Sequence, residues 1–316
     1  MSNMKIVFMG TPDFAIPALD LLIETGENIV GVVTMPDRPK GRGRKLKAPP
    51  VKETAACKGI TVFQPVKIRD EFFVSKLKEL NPDVIVVVAF GQILSKEILK
   101  IPRFGCINLH ASLLPRYRGA APINWVIVNG EKVTGVTTML MDEGLDTGDI
   151  LLQKEVEIEE GDTAENLHDK LANTGAKLLL ETLYRLKEGS IITPVTQDHS
   201  KATMSPMLKK GDGLIDWRKG AKEISNLIRA LTPRPGAFTH LQGKILKILK
   251  VIVLEGDSND IVPGTIAEID EKGITISTGK GFLLIKEIQL QDHKKMGVAD
   301  FLRGQKHKIS VGATLR

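Results

Sequence analysis

The sequence predicts an α/β protein with two domains: an N-terminal, doubly wound, Rossmann-like parallel sheet and a smaller C-terminal OB-like β-barrel. Three observations lead to this prediction. The chain has 316 residues, which is more than a single hydrophobic core usually serves. Short β-branched runs alternate with amphipathic segments in its first half, which is typical of a parallel sheet covered by helices. In the last third, short strand-like runs follow one another without helices, as in a small barrel.

The N-terminal elements follow from hydrophobic periodicity. Apolar positions three or four residues apart indicate helices, and short β-branched runs indicate strands. Residues 84–88 read Val-Ile-Val-Val-Val, so this strand is apolar on both faces and should lie at the centre of the sheet. The predicted elements are strands at 5–9, 29–34, 84–89, 105–110 and 150–158 and helices at 14–25, 71–80 and 163–186.

A polar segment with proline, residues 190–208, has no clear periodicity and predicts a linker that runs over the surface. We therefore expect one domain at 1–189 and a second at 209–316. In the second domain we expect a short helix at 226–231. Tight turns separate the strands predicted there, at 244–254, 264–270, 273–278 and 281–289.

Composition restricts the class of protein. The chain is 42% hydrophobic and 26% charged, and no apolar run approaches the ~18 residues of a membrane span. The N-terminal apolar run is too short for a signal peptide and predicts a first strand. Cys57 and Cys106 have no metal or redox spacing, which favours a reducing compartment. We therefore expect a cytoplasmic protein without a membrane partner.

Positive charge is concentrated in the last third of the chain. Up to Pro206 there are 25 Lys and Arg against 26 Asp and Glu, whereas from Met207 onward there are 19 against 12. This asymmetry indicates an anionic partner for the C-terminal part, although a basic surface can also serve only solubility.

The predicted sheet does not carry a nicotinamide-binding motif. Its first turn, Gly10-Thr11-Pro12-Asp13-Phe14, lacks the second and third glycines of G-x-G-x-x-G. Ligands of open α/β sheets bind at the carboxyl ends of the strands. Gly10, the loop after Thr34, Phe90-Gly91 and residues 108–110 should all lie there.

Asn108 and His110 are the strongest candidates for chemistry. They are two residues apart at the end of an apolar run, so on a strand their side chains point the same way. An amide, an imidazole and the downstream carboxylate of Asp146 are the groups needed to carry an acyl group through a tetrahedral intermediate. The pair alone also fits ordinary polar residues at a strand end.

The longer motif resembles a known family. Residues 108–119 read Asn-Leu-His-Ala-Ser-Leu-Leu-Pro-Arg-Tyr-Arg-Gly, and residues 142–149 have the pattern Asp-x-Gly-x-Asp-x-Gly-Asp. Together they resemble the signature of formyltransferases that use 10-formyltetrahydrofolate. The resemblance implies that Asn108, His110 and Asp146 are catalytic. It also implies that the folate contacts are Phe90, Gly91, Gln92, Ile93, Leu94, Ser112, Leu113, Leu114, Pro115 and Asp142.

A basic segment indicates which amine is formylated. Six of the ten residues from 38 to 47 are basic, which favours phosphate binding over a merely solvated loop. The segment resembles the insertion with which methionyl-tRNA formyltransferases enter the acceptor stem. In the second domain the resemblance rests on Ile215-Asp216-Trp217, on residues 229–231 and on residues 234–238. The tRNA contacts it implies are Arg38, Lys40, Arg42, Arg44, Lys45 and Lys47.

The resemblance thus implies formyl transfer to initiator methionyl-tRNA, with folate as co-substrate and without a DNA partner. Two alternatives remain: an enzyme that formylates an amino sugar nucleotide, and a non-catalytic RNA-binding protein. We expect no metal site, because the histidines show no ligand spacing.

Overall fold

The computed structural model describes residues 4–40, 45–189, 193–305 and 309–315. The chain divides into two compact units that interleave along the sequence. The sequence boundaries at 189 and 209 assume continuous domains and stay a prediction. The first unit comprises Met1–Pro122, Val133–Glu157 and His168–Pro206, and the second comprises Ile123–Lys132, Ile158–Leu167 and Met207–Arg316.

The strands of the first unit form a seven-stranded sheet and a separate hairpin. The sheet strands are β1 Lys5–Gly10, β2 Asn28–Val33, β5 Val62–Phe63, β6 Val84–Val88, β7 Cys106–His110, β8 Val133–Leu140 and β9 Ile150–Glu157. The hairpin strands are β3 Arg38–Lys40 and β4 Lys45–Lys47. The sheet order is β5-β2-β1-β6-β7-β8-β9, and its first five strands are parallel, which confirms the predicted fold class.

The helices up to residue 187 follow the predicted alternation. A 3-10 turn, Asp13–Ala15, precedes the first of them. They are α1 Ile16–Glu24, α2 Pro50–Cys57, α3 Glu71–Leu80, α4 Lys96–Leu99, α5 Pro122–Val128 and α6 Ala164–Lys187.

Burial explains the central position of β6. All five of its residues are buried, and Ile85 and Val87 share a core cluster with Val7 of β1 and Leu77 of α3. The side chain of Leu77 is fully buried, so its truncation to alanine should cost about 2–5 kcal/mol. This core supports the carboxyl ends of the parallel strands.

The sheet continues beyond β7 with two antiparallel strands. Strand β8 is not predicted from the sequence, because Gly135 and three threonines interrupt its apolar pattern. The glycine is required there: a Cβ would overlap the backbone of Lys154 and the side chain of Leu113. The antiparallel edge matters for the site, because β8 and β9 flank the loop that carries Asp146.

The second unit contains an antiparallel sheet, in agreement with the run of strands predicted for the C-terminal part. Its order is β10-β11-β14-β13-β12, with β15 paired to β14. Strand β11 has the predicted bounds, whereas helix α7 begins five residues before the predicted helix. The elements are α7 Ala221–Leu231, β10 Ala237–Leu241, β11 Lys244–Leu254, β12 Ile266–Asp270, β13 Gly273–Ser277, β14 Phe282–Leu290, β15 Met296–Gly297 and α8 Val298–Gln305.

Part of the predicted linker is buried in the first unit. Gln197 and Ser205 are 3% and 0% exposed, and the backbone of Val195 pairs with that of Ile150. The expectation that this segment runs only over the surface is therefore wrong, because its polar groups bond to the loops around His110. Within the described ranges, none of the helices is both long and apolar enough to cross a membrane.

Candidate active site

Asn108 and His110 lie at the C-terminal end of β7, on the same side of the strand, as their spacing predicts. They are 9% and 7% exposed. Backbone pairing places Asn108 between Val87 of β6 and Met139 of β8. Both residues thus lie at the carboxyl edge of the parallel strands, where a ligand crevice is expected.

The two ring nitrogens of His110 have different partners. Nε2 lies 2.9 Å from the carbonyl oxygen of Tyr117, and because a carbonyl only accepts, Nε2 carries a hydrogen and donates it. Nδ1 lies 3.7 Å from Oδ1 of Asp146, which is too long for a hydrogen bond but within ion-pair range. Neutral His110 therefore presents an unprotonated Nδ1 to the carboxylate, and protonation there creates an ion pair.

The carboxylate of Asp146 is held by one oxygen. Its Oδ2 accepts a hydrogen bond of 2.8 Å from the backbone amide of Gly119, and its side chain is 13% exposed. The backbone of Asp146 has a φ of 53°, a left-handed conformation that aspartate tolerates better than most residues. This arrangement leaves Oδ1 facing His110.

The side-chain amide of Asn108 makes no hydrogen bond within the described part of the chain. Its polar atoms are not among the fully buried, unpartnered side-chain atoms of the described residues, so water can satisfy this amide until a ligand displaces it. Asn108 is therefore available to donate to an oxygen of a bound molecule.

The predicted folate segment 112–115 is held by hydrogen bonds to side chains of β8 and β9. The hydroxyl of Ser112 is fully buried and donates to the carbonyl of Arg116 at 2.7 Å. The amide of Leu114 donates to Thr137, and the Leu114 carbonyl accepts from Gln153. The Ser112 hydroxyl is thus used internally, and Leu113 and Pro115 are half-buried.

The other predicted folate segment, residues 90–94, is buried at both ends and accessible between them. Phe90 and Leu94 are buried, whereas Ile93 is 78% exposed. Gly91 has a φ of 94°, a conformation that favours glycine. The Gln92 side chain accepts from the amide of Ile68 at 2.8 Å. This hydrogen bond fixes the loop at Gln92, while the apolar side chain of Ile93 remains exposed.

Asp142 has a local structural contact. Its Oδ1 accepts from the amide of Gly144 at 3.0 Å and from the hydroxyl of Thr147 at 2.6 Å. The carboxylate therefore closes the turn that leads to Asp146, and its contact with folate stays a prediction.

Two residues beside this loop, Arg118 and Gln197, were not among the predicted site residues. Nε2 of Gln197 donates to the carbonyls of Asp146 and Gly148, at 3.0 and 2.6 Å. The guanidinium of Arg118 donates to Oε1 of Gln197. Arg118 lies inside the quoted motif, which was a usable signal, but the aperiodic stretch around Gln197 offered none.

The basic segment is a β-hairpin in the first unit. Its register pairs Arg38 with Lys47 and Lys40 with Lys45, and the side chains of Arg38 and Lys47 are exposed. Arg42 and Arg44 lie outside the described residues. The structure thus pairs four of the six predicted tRNA-binding positions in one hairpin.

Asp37 anchors the base of this hairpin. Its carboxylate accepts from Nζ of Lys52 and from Nε2 of Gln64, each at 2.8 Å. The hydrogen bond from Lys52 holds the pKa of Asp37 below its usual value. Gln64 also donates to the carbonyl of Met35 at 2.9 Å, so the first strand of the hairpin is tied to two neighbouring elements.

Comparison with known proteins identifies the family of both the N-terminal and the C-terminal part of the chain. The family model described as "Formyl transferase" matches residues 4–183, and the model described as "Formyl transferase, C-terminal domain" matches residues 207–306. Methionyl-tRNA formyltransferase of Clostridioides difficile is 55% identical over 312 residues, which are 99% of this chain and 100% of that protein. That of Geobacter metallireducens is 53% identical over 304 residues, 96% of each chain.

Solved structures share the fold. HypX from Aquifex aeolicus in complex with tetrahydrofolic acid has a TM-score of 0.64 at 18% identity. The match covers 95% of this chain, which spans about half of HypX, 47% of its length. The N-formyltransferase from Helicobacter canadensis, in complex with folinic acid and dTDP-3-aminofucose, has a TM-score of 0.68 at 21% identity and covers 93% of this chain and 100% of that one. The family models and the full-length relatives place the chain in the formyl transferase family, in its methionyl-tRNA formyltransferase branch.

Proposed function

We propose that this protein transfers the formyl group of 10-formyltetrahydrofolate to the free amino group of initiator methionyl-tRNA. The observation that carries the proposal is the buried set at the end of β7. There the amide of Asn108, which has no hydrogen-bond partner among the described residues, lies two residues from a His110 whose Nδ1 faces Asp146. The full-length relatives named methionyl-tRNA formyltransferase support the choice of amine.

Asn108 stabilises the oxyanion. Formyl transfer breaks the bond between the formyl carbon and N10 of the folate and forms a bond from that carbon to the methionyl nitrogen. The amine loses one proton, N10 gains one, and a tetrahedral intermediate with a negative oxygen lies between. One fixed N–H donor to such an oxygen is worth roughly 3 kcal/mol, about a hundredfold or more in rate.

His110 moves the proton at Nδ1, since Nε2 is committed to the carbonyl of Tyr117. When Nδ1 takes the proton of the attacking amine, the ring becomes positively charged, and Asp146 stabilises that charge at 3.7 Å. The protonated Nδ1 then donates to the oxyanion or, directly or through water, returns the proton to N10.

The two predicted folate segments have the character that this co-substrate requires. Folate is flat and largely apolar, with a few hydrogen-bonding edges. Ile93 offers an exposed apolar surface beside the side-chain-free backbone of Gly91, and Leu113 and Pro115 are half-buried. We assign folate contacts to residues 90–94, to residues 112–115 and to Asp142.

The hairpin and the C-terminal part supply positive charge for tRNA. Arg38 and Lys47 lie opposite each other, and residues from 207 onward carry 19 Lys and Arg against 12 Asp and Glu. Neutralised phosphates release counterions, which makes such surfaces bind nucleic acid. We assign RNA, and not DNA, to them because the methionyl group is carried by tRNA, and we place the protein in the cytoplasm, in translation initiation.

The direct test offers labelled 10-formyltetrahydrofolate with three acceptors in parallel: initiator methionyl-tRNA, glycinamide ribonucleotide and an amino sugar nucleotide. The proposal expects label in methionyl-tRNA at a rate that exceeds the other two by orders of magnitude. Preferred formylation of the amino sugar would replace the proposal with its enzymatic alternative. Tight binding of methionyl-tRNA without any transfer would indicate a non-catalytic RNA-binding protein.

A further inference from the structure

We propose that Gln197 is a positioning residue for Asp146. It fixes, through two backbone carbonyls, the loop that presents the Asp146 carboxylate to His110. This inference rests on the proposed role of Asp146 and goes beyond it, because it assigns a function to a side chain outside both sequence motifs.

The orientation of the Gln197 amide follows from the chemistry of its neighbours. Nε and Nη2 of Arg118 lie 3.1 and 2.6 Å from Oε1 of Gln197, and a guanidinium has only donors. Oε1 must therefore face Arg118. The amino group then faces the carbonyls of Asp146 and Gly148, which only accept.

The loop depends on these two hydrogen bonds. Asp146 has a left-handed backbone with a φ of 53°, and Gly148 is packed so closely that a Cβ there would overlap the carbonyl of Leu140. Gln197 is 3% exposed, so water cannot easily replace its amino group. Loss of the Gln197 amino group removes one hydrogen bond from each of the carbonyls of Asp146 and Gly148. The backbone at Asp146 must then shift to recover hydrogen bonds.

The hydrogen bonds that hold Gln197 and Asp146 also connect to His110, through residues 117–119. Three consecutive residues each bind one member: the Tyr117 carbonyl accepts from His110, the Arg118 side chain binds Gln197, and the Gly119 amide binds Asp146. The buried hydroxyl of Ser205 bonds to the carbonyls of Tyr117 and Arg118, each at 3.0 Å. A shift at Gln197 thus changes the distance between the imidazole and the carboxylate.

Gln197→Glu separates this role from simple packing. The substitution keeps the size of the side chain and strengthens the contact with Arg118, because it creates an ion pair. However, it places a carboxylate oxygen against two carbonyl oxygens, so it should repel the loop. Gln197→Met removes the donor without adding charge and serves as the second variant.

The experiment measures single-turnover formyl transfer to initiator methionyl-tRNA, its pH profile and the affinity for tRNA. Gln197→Glu and Gln197→Met should each lower the rate about tenfold or more, since a small misplacement of a reacting group is costly. They should change the pH profile and leave tRNA affinity within about twofold. His199→Ala is the matched control: Nδ1 of His199 lies 3.1 Å from Nη1 of Arg118, and its loss should change the rate less than about twofold.

The double variants locate the effect. If Gln197 acts only through Asp146, Gln197→Glu should lower the rate less than about twofold further in an Asp146→Asn background. A full additional tenfold loss there, or a parental rate and pH profile in both single variants, would overturn the positioning role. If Asp146→Asn alone keeps the parental rate, the proposed role of Asp146 fails instead, which distinguishes the two claims.

Discussion

Nδ1 of His110 and Oδ1 of Asp146 face each other across 3.7 Å, although one residue ends a central strand and the other lies in a loop. The last three residues of the first motif, 117–119, hold both. The carbonyl of Tyr117 accepts from the imidazole, and the amide of Gly119 donates to the carboxylate. The candidate site is therefore an assembly of one strand and two loops, and each loop can be tested separately.

Asn108→Ala should lower the single-turnover rate about a hundredfold, because it removes the amide donor proposed for the oxyanion. Combination with His110→Ala should cost less than the product of the two single effects, since both groups serve one intermediate. Rapid quenching of labelled product measures each rate. Fully multiplicative losses would mean that the two residues act in different steps.

Arg42→Lys should impair formylation and reduce the preference for initiator over elongator acceptor stems. In the sequence Arg42 stands between Gly41 and Gly43 of the basic segment 38–47, and a guanidinium makes paired hydrogen bonds that an ammonium cannot. Initial rates on the two methionyl-tRNAs give both quantities. A variant that matches the parent in both would reduce this segment to an electrostatic tether.

Asp37→Asn should raise KM for methionyl-tRNA several-fold and leave KM for folate unchanged, because it weakens the anchor of the hairpin to Lys52 and Gln64. The lowered pKa of Asp37 keeps the ion pair formed above the ordinary aspartate value near 3.9 and loses it only as pH falls through the lowered value. The ratio of variant to parent KM should therefore be constant from about pH 6 to 8. Glu79→Gln, which removes the exposed pair with Lys76, is the matched control. An unchanged KM in Asp37→Asn would contradict the anchoring role.

The two cysteines should differ sharply in reactivity. Cys57 is exposed, whereas burial raises the pKa of Cys106 to about 12, so its thiolate is nearly absent at pH 8. A thiol reagent such as DTNB should titrate one group quickly in the native protein and the second only in denaturant. Rapid reaction of both thiols in the native state would contradict the burial of Cys106 in β7.

Sequence periodicity predicts the elements whose own apolar pattern matches their burial. Strand β6 is buried on both faces, and α3 spans the predicted residues 71–80. Strand β8 is not predicted, because pairing with its neighbours β7 and β9, and not its own apolar pattern, makes it a strand. At Gly135 a side chain would collide with the backbone of Lys154.

The candidate site was predictable to the extent that it is local. Asn108 and His110 share a face because of their spacing in one strand, and the downstream motif supplied Asp146. Gln197 was not predictable, because its role depends on a contact with Arg118 that only the folded chain creates. Long-range polar contacts of this kind have no period in the sequence.

The central claim is that His110 and Asp146 act as one unit in formyl transfer. Its most direct test is the single-turnover rate of transfer from 10-formyltetrahydrofolate to initiator methionyl-tRNA for His110→Ala, Asp146→Asn and the double variant. We expect each single variant to be slower by about two orders of magnitude, the double variant to be little slower than either, and tRNA affinity to be unchanged. Near-parental rates in either single variant, with the protein folded and tRNA bound, would contradict the account.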